Sequence, residues 1–230
     1  MKLKALLLSA LTVFAVTAAQ AKAVEGTDYI VRSNVIKPVQ PNKIEVTEFF
    51  GYFCIHCQHL EPTIEQQSKR FASDTVLRQE HVVWQPAHQT LARLSAAVKS
   101  TGLSRQANQA IFKVLMDGTV TDEAGLKAWI QQQPYGSRLL AAYNSPQAAA
   151  AAQTMQQNTV TYNITKTPVI VVGGKYELTD SKNMAVMQEL IEKVRAERGM
   201  PAPAPRTMVR SRGAAIAGQA NRLSGASIFR

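Results

Sequence analysis

The chain has 230 residues, a formal net charge of +10 and two cysteines. Two cysteines exclude the multi-disulfide framework of a small secreted scaffold, and a chain of this length can bury a core without such bridges. The last 32 residues hold five arginines and no acidic residue, so much of the charge belongs to a tail and does not indicate nucleic-acid binding.

Residues 1–23 have the pattern of a cleavable secretory signal peptide. Lys2 and Lys4 precede fifteen apolar or small residues, and two A-x-A cleavage motifs end at Ala21 and Ala23. An uncleaved membrane anchor is the alternative, but the run is shorter than the roughly 20 residues that a spanning helix needs. We therefore expect export to an oxidising compartment, where thiols tend to form disulfides.

The next part of the chain predicts a strand, helix, strand order. Residues 28–32 are typical of a short edge strand, and residues 43–50 of a buried central strand. Helical spacing of apolar residues follows over 55–72, where Pro62 should kink or break the helix. Strand character returns over 75–84.

Residues 86–158 are rich in Ala, Gln, Leu and Lys and predict an all-helical block. The predicted helices are 90–99, 104–116, 122–132 and the alanine-rich segment that begins at Ser145-Pro146.

The chain then returns to strands and closes on one helix. Residues 167–172 and 175–178 predict two strands joined by a tight turn, and residues 180–198 predict the helix. The fold class is therefore α/β, with 24–85 and 159–198 forming one discontinuous domain around the inserted helical domain 86–158. Residues 199–230 predict a basic, disordered tail.

The two cysteines stand in FFGYFCIHCQHLEP, directly after the buried strand. A bridge from Cys54 to Cys57 closes so small a loop that it adds little stability, so an ordinary structural disulfide explains the pair poorly. Cys54 would begin a helix, where free backbone amides, the helix dipole, Cys57 and His56 favour its thiolate. Stabilising the reduced thiolate makes the disulfide a strong oxidant.

The sequence matches the ligand patterns of metal and haem sites less well than it matches a redox-active cysteine pair. A structural zinc site needs four ligands, and no two of the four histidines have H-x₃₋₅-H spacing. A c-type haem needs C-x-x-C-H, but Gln58 occupies the fifth position. We expect no metal and no cofactor other than the redox-active pair.

The segments EVTEFFGYFCIHCQHLEP, EHVVW and TKTPVIVVGGKYEL resemble the DsbA family of periplasmic thiol:disulfide oxidoreductases, and the resemblance covers Val24 to Arg198. It implies a thioredoxin-like fold interrupted by the helical domain. It also implies a periplasmic enzyme that donates its disulfide to newly exported proteins and is reoxidised by a DsbB-type membrane partner. We expect a monomer.

The resemblance also implies roles for residues at the active site. Cys54 is the exposed nucleophile, Cys57 is the buried resolving thiol, and Pro168 is the cis-proline beside the sulfurs. Thr167 offers its backbone to an extended substrate peptide. Ile55 stands where many members have proline, in the dipeptide that tunes the redox potential.

Two acids and three aromatic residues complete the predicted site. Glu48 and Glu61 match acids that family members use in proton handling, although Glu48 could instead face solvent from its strand. Family members often place a lysine beside such an acid, where this chain has Gln79 or Arg78. The predicted substrate-binding residues are Phe50, Tyr52 and Phe53, with plain core packing as the alternative.

Two other functions remain open from the sequence. One is a disulfide reductase or isomerase, which is disfavoured because such isomerases generally need a dimerisation domain. The other is a non-catalytic module that grips unfolded chains with the three aromatic residues.

Overall fold

The computed structural model describes residues 22–203. Most of the predicted signal peptide and the predicted tail beyond residue 203 therefore lie outside the described residues. Within residues 22–203, no helix combines the length and the apolar character needed to cross a membrane.

The described residues form one mixed sheet with the strand order β1-β5-β4-β2-β3. Strand β2 pairs in parallel with β3 and antiparallel with β4, so it is an interior strand, and all seven of its residues are buried, as predicted. The middle strand of the five is β4, and β2 lies next to the edge strand β3. Strand β1 lies at the edge, also as predicted. The strands are β1 Tyr29–Val31, β2 Ile44–Phe50, β3 Thr75–His81, β4 Val169–Val172 and β5 Tyr176–Leu178.

Five of the helices in the described part of the chain lie between β3 and β4, which confirms the helical block in the middle of the sequence. The helices are α1 Ile55–Ser68, α2 His88–Ser100, α3 Ser104–Met116, α4 Glu123–Gln131, α5 Gly136–Tyr143, α6 Pro146–Thr161 and α7 Met184–Glu197. Helix α5 was not predicted: it has eight residues and no side-chain N-cap bond, so its start carries no capping residue. Helix α6 runs three residues past the predicted domain boundary at 158, and the boundaries themselves stay a prediction.

Two of the predicted helix starts in the helical block have a side-chain cap, whereas α2 and α3 follow Ala87 and Leu103, which make no side-chain cap bond. Ser145 accepts a hydrogen bond from the Ala148 amide, with Pro146 in the first turn of α6. Asp122 caps α4 in the same way by accepting from the Gly125 amide.

Pro62 does not break α1, which continues to Ser68. A proline cannot donate to the carbonyl four residues earlier, here that of Gln58. That carbonyl oxygen accepts a hydrogen bond from Gln109 Nε2 of α3 at 3.2 Å instead. A side chain from the inserted helices thus replaces the bond that the proline removes.

The buried apolar residues of the described chain form four clusters, and two of them contain residues of both β2 and α1. One joins α1 and α7 to the sheet and includes Leu190, Ile191 and Val194 of the predicted apolar face of α7. The second joins Phe50 and Cys57 to the inserted helices. The cysteine pair therefore lies where the sheet meets the helical block.

Candidate active site

Cys54 is the N-cap of α1, immediately after β2 and a short turn. Its backbone is extended, and its Sγ accepts a hydrogen bond from the Cys57 amide at 3.2 Å. Cys54 is half-buried, Cys57 is fully buried, and both are free thiols in this structure. The strand-to-helix turn therefore presents one sulfur to the surface and holds the other beneath it.

The two thiols have opposite acidities. The pKa of Cys54 is lowered to about 5, first by the hydrogen bond from the Cys57 thiol, while partial burial opposes the shift. The Thr167 side chain and the backbone N–H groups of Cys57 and His56 lower it further. The pKa of Cys57 is raised by the same thiol–thiol bond and by burial. At neutral pH, Cys54 is a thiolate and Cys57 holds its proton.

The Thr167–Pro168 peptide bond is cis. The Thr167 carbonyl oxygen lies 3.6 Å from Cys54 Sγ, across 113 positions of sequence. The Thr167 side chain also contacts Cys57, and its hydrogen bond lowers the pKa of that thiol. The turn that precedes β4 therefore covers both sulfurs.

Ile55 and His56 lie exposed in the first turn of α1. The contact of His56 with Cys54 comes from its backbone N–H, whereas the sequence pointed to its imidazole. The first turn thus acts on the thiolate through its amides, as expected for the start of a helix.

Glu48 and Glu61 are both buried, so the solvent-facing alternative for Glu48 is wrong. The side-chain amide of Gln79 donates to Glu48 Oε2 and to Glu61 Oε2, each at 2.9 Å. Burial, and next the charge of Glu61, raise the pKa of Glu48 to about 8. Burial also raises the pKa of Glu61. Gln79 is therefore the partner of Glu48 that the sequence left open.

Arg78, the alternative partner predicted for Glu48, binds other acids instead. It donates to Glu45 Oε2 at 3.1 Å and to Glu80 Oε1 at 2.8 Å. The parallel register pairs Glu48 with Gln79, so Arg78, the residue before Gln79 in β3, lies on the opposite face of the sheet.

Asn108 of α3 belongs to this site and was missed. Its Nδ2 donates to Glu61 Oε1, and its Oδ1 accepts from the Tyr52 hydroxyl at 2.7 Å. A usable sequence signal existed, because Asn108 stands among Ala107, Ile111 and Phe112 on the buried face of α3. A polar residue on an apolar face needs a buried partner.

The prediction that Phe50 and Tyr52 contact substrate is wrong, since each is only 1% exposed. Both rings pack against Phe112, with centroids 6.2 Å and 5.0 Å away. The inserted helices therefore occupy the side on which these rings project, and core packing is the correct interpretation for both.

Phe53 is the one predicted aromatic that reaches the surface. It stacks on His88 with ring centroids 4.1 Å apart and lies 5.5 Å from the ring of Trp84. Trp84 is 43% exposed and Ile55 is 41% exposed. We call Phe53, Trp84 and Ile55 the rim: Phe53 and Ile55 are the sequence neighbours of Cys54, and Trp84, which was not predicted, packs against Phe53.

Known proteins resemble the chain over most of its length. The thiol:disulfide interchange protein DsbA of Bordetella parapertussis is 30% identical over 181 residues, covering 76% of this chain and 83% of that protein. Reduced DsbA1 from Neisseria meningitidis has 42% identity and a TM-score of 0.75, covering 78% of this chain and 99% of that one. The oxidoreductase NmDsbA3 from the same organism has 44% identity and a TM-score of 0.70, covering 76% and 99%. No protein-family model matches the chain.

The structural likeness confirms the predicted fold class, a thioredoxin-like fold with an inserted helical domain.

Proposed function

Because this chain belongs to the DsbA family of thiol:disulfide interchange proteins, we propose that it acts in the periplasm and donates a Cys54–Cys57 disulfide to newly exported proteins. Its reaction class is protein dithiol oxidation by thiol:disulfide interchange. The predicted signal peptide supports export, and a DsbB-type membrane partner reoxidises the protein in this proposal. The protein acts as a monomer.

The observation that carries the proposal is the unequal setting of the two thiols: Cys54 Sγ is half-buried and accepts a hydrogen bond from the Cys57 amide at 3.2 Å, whereas Cys57 is fully buried. A substrate thiolate attacks Cys54 Sγ of the disulfide, which is the exposed sulfur, and Cys57 leaves. A second substrate thiolate then attacks the substrate sulfur of the mixed disulfide and releases Cys54. Because the pKa of Cys54 is about 5, it leaves as a stable thiolate, which drives transfer toward substrate oxidation.

Glu48 provides the proton that Cys57 takes in this proposal. A raised pKa of about 8 keeps Glu48 protonated at neutral pH, and the charge of Cys54 contributes to that shift. The acid therefore senses the redox state of the pair. It can give a proton when the disulfide opens.

Substrate binding is assigned to the surface around Cys54. Thr167 supplies backbone atoms to an extended peptide, and the rim of Phe53, Trp84 and Ile55 contacts apolar side chains near the substrate cysteines. The sequence variety of newly exported proteins suits backbone and apolar contacts, which do not depend on particular side chains.

Two measurements test the proposal. The oxidised protein, mixed with a reduced dithiol peptide, should convert the peptide to its disulfide, and Cys54→Ser should abolish the transfer. Equilibration with glutathione should give a potential well above the roughly −270 mV of thioredoxin. A potential at or below that value would assign a reductase. Full retention of biological activity in Cys54→Ser would assign a non-catalytic binder.

A further inference from the structure

Two buried carboxyl groups share one amide nitrogen beside the active site. The Oε2 atoms of Glu48 and Glu61 each lie 2.9 Å from Gln79 Nε2, so the two oxygens are separated by less than twice that distance. Glu48 is 0% exposed and Glu61 is 2% exposed. Neither carboxylate can therefore rely on water to offset the charge of the other.

The bridge between these two acids is neutral. A lysine there would compensate one negative charge, whereas the glutamine amide supplies only dipoles. Two buried negative charges at this separation are unfavourable, so the pair retains one proton at neutral pH. The other charged or titratable groups near the pair are Cys54, Tyr52, Glu65, Lys69 and Arg105, of which the last three line a cavity of about 240 Å³ beside Glu61.

The hydrogen bonds of the two acids are unequal. Glu61 accepts from Gln79 and from Asn108, one on each oxygen. Glu48 accepts only from Gln79, and its Oε1 is buried with no hydrogen-bond partner. An unpartnered buried oxygen costs more on a charged carboxylate than on a neutral carboxyl group. The negative charge of the pair therefore belongs on Glu61, and the proton belongs on Glu48.

We propose that Asn108 is a positioning residue for the redox reaction: by donating to Glu61, it holds the shared proton of the pair on Glu48. This inference rests on the proposed function, in which Glu48 gives its proton to Cys57. It assigns part of the redox chemistry to the inserted helices, because Asn108 lies on α3.

The reaction balances with these groups. The substrate thiolate forms a bond to Cys54 Sγ, the Cys54–Cys57 bond breaks, and its electron pair passes to Cys57 Sγ. Cys57 takes the proton from Glu48, which becomes a carboxylate and later regains a proton from solvent. The substrate dithiol supplies both electrons of the complete cycle.

The test compares Asn108→Leu, Asn108→Ala and Glu61→Gln with the unchanged protein. Carbon-13 labelling of glutamate carboxyl groups reports the titration of Glu48 in the oxidised form. Without the Asn108 donor, the proton moves to Glu61, so the midpoint of Glu48 should fall. In Glu61→Gln it should also fall, because the neighbouring charge is gone. Gln106→Leu, an exposed site on α3, is the matched control and should leave the midpoint in place.

The rate of disulfide reduction by dithiothreitol gives a second measurement. After correction for the thiolate fraction of the reductant, the rate should decline on the alkaline side of the Glu48 midpoint. The protonated fraction of Glu48 falls about tenfold for each pH unit there. In both Asn108 variants this decline should begin at lower pH, while loss of packing alone would lower stability without moving it.

The outcomes are distinct. The inference about Asn108 is wrong if the unchanged protein oxidises a dithiol peptide but the titration midpoint of Glu48 in the Asn108 variants equals that in the unchanged protein. If the unchanged protein fails to oxidise the peptide, the proposed function is wrong, whatever the carboxyl titration gives. Two variants of different volume guard against a folding defect in either one.

Discussion

The Thr167 carbonyl oxygen lies 3.6 Å from Cys54 Sγ, and the side chain of the same threonine contacts both sulfurs of the pair. Strand pairing explains how residues so distant in sequence meet. Strand β4 begins at Val169 and runs antiparallel to β2, with Val169 opposite Phe49. The turn before β4 is therefore held at the end of β2 from which the active-site turn begins.

The Thr167 hydroxyl should contribute to the acidity of Cys54. Its hydrogen bond is one of the interactions that lower the pKa of that thiol, although the Cys57 thiol has the larger effect. We expect Thr167→Val, which keeps the shape and removes the hydroxyl, to raise the pKa of Cys54. Ultraviolet titration of the thiolate measures the shift. Thr154→Val, exposed on α6, is the control, and an unchanged titration in Thr167→Val would contradict the assignment.

Acidity and stability are linked in the reduced protein. The pKa of Cys54 is about 5 in the folded chain, against 9.0 for an ordinary thiol. The ionised Cys54 therefore stabilises the folded reduced protein fully above about pH 9, and this stabilisation is lost as pH falls toward about 5. Glu48 acts in the opposite sense: with its pKa raised to about 8, its contribution is full below about pH 4.5 and is lost as pH rises through 8.

Both redox forms contain Glu48, whereas only the reduced form has a Cys54 thiolate. We therefore expect the stability of the reduced form, relative to the oxidised form, to increase as pH rises from about 5 to about 9. Urea unfolding of both forms across that range measures the difference. A constant difference would mean that the folded protein does not favour the thiolate.

Arg78 should matter for stability and not for redox chemistry. Its guanidinium is buried between Glu45 and Glu80 and also donates to the Lys37 carbonyl at 3.0 Å. Removing one partner of a buried ion cluster leaves uncompensated charge, so Arg78→Leu should lower the free energy of unfolding by about 3–5 kcal/mol.

Urea unfolding measures this loss, and the exposed pair of Arg105 with Glu65 offers a contrast. Its arginine side chain is 73% exposed, so Arg105→Ala should cost no more than about 1 kcal/mol. The Cys54 titration should be unchanged in Arg78→Leu, since the cluster lies on the other face of the sheet. Equal costs for the two variants would show that the buried cluster is not specially stabilising.

Local pattern sufficed for much of this fold. The compact apolar run 43–50 predicted the buried strand β2, and Ser145-Pro146 predicted the start of α6, because these signals lie in neighbouring residues. The place of Phe50 and Tyr52 could not be predicted in this way. Both faces of β2 are covered, and only the packing of α3 decides that these rings are core.

The residues of the site also fall into those that neighbouring sequence identified and those that depend on tertiary contacts. The C-x-x-C spacing identified the reactive pair, and the threonine-proline segment identified its neighbour through the family resemblance. The bridge of Gln79 and the donor from Asn108 depend on a strand register and on the docking of a helix. Those contacts join residues 31 and 47 positions away from their acids. The local pattern marks Asn108 as a buried polar residue but does not encode which acid it contacts.

Ile55 is the first residue of α1, and the backbone of the preceding residue, Cys54, is compatible with a proline at position 55. Proline is favoured at the first helical position, where the amide has no partner within the helix. The residue before a proline prefers an extended backbone, and Cys54 has φ −106° and ψ 112°. Ile55→Pro should therefore raise the free energy of unfolding by about 0.4–1 kcal/mol.

The midpoint of the Cys54 thiolate titration should stay close to that of the unchanged protein, because the backbone donors to the Cys54 sulfur belong to His56 and Cys57. Urea unfolding and thiolate titration of the same sample measure both effects. A loss of stability in Ile55→Pro would mean that the start of α1 is not preorganised for proline, and Ile55→Ala controls for the loss of the exposed side chain.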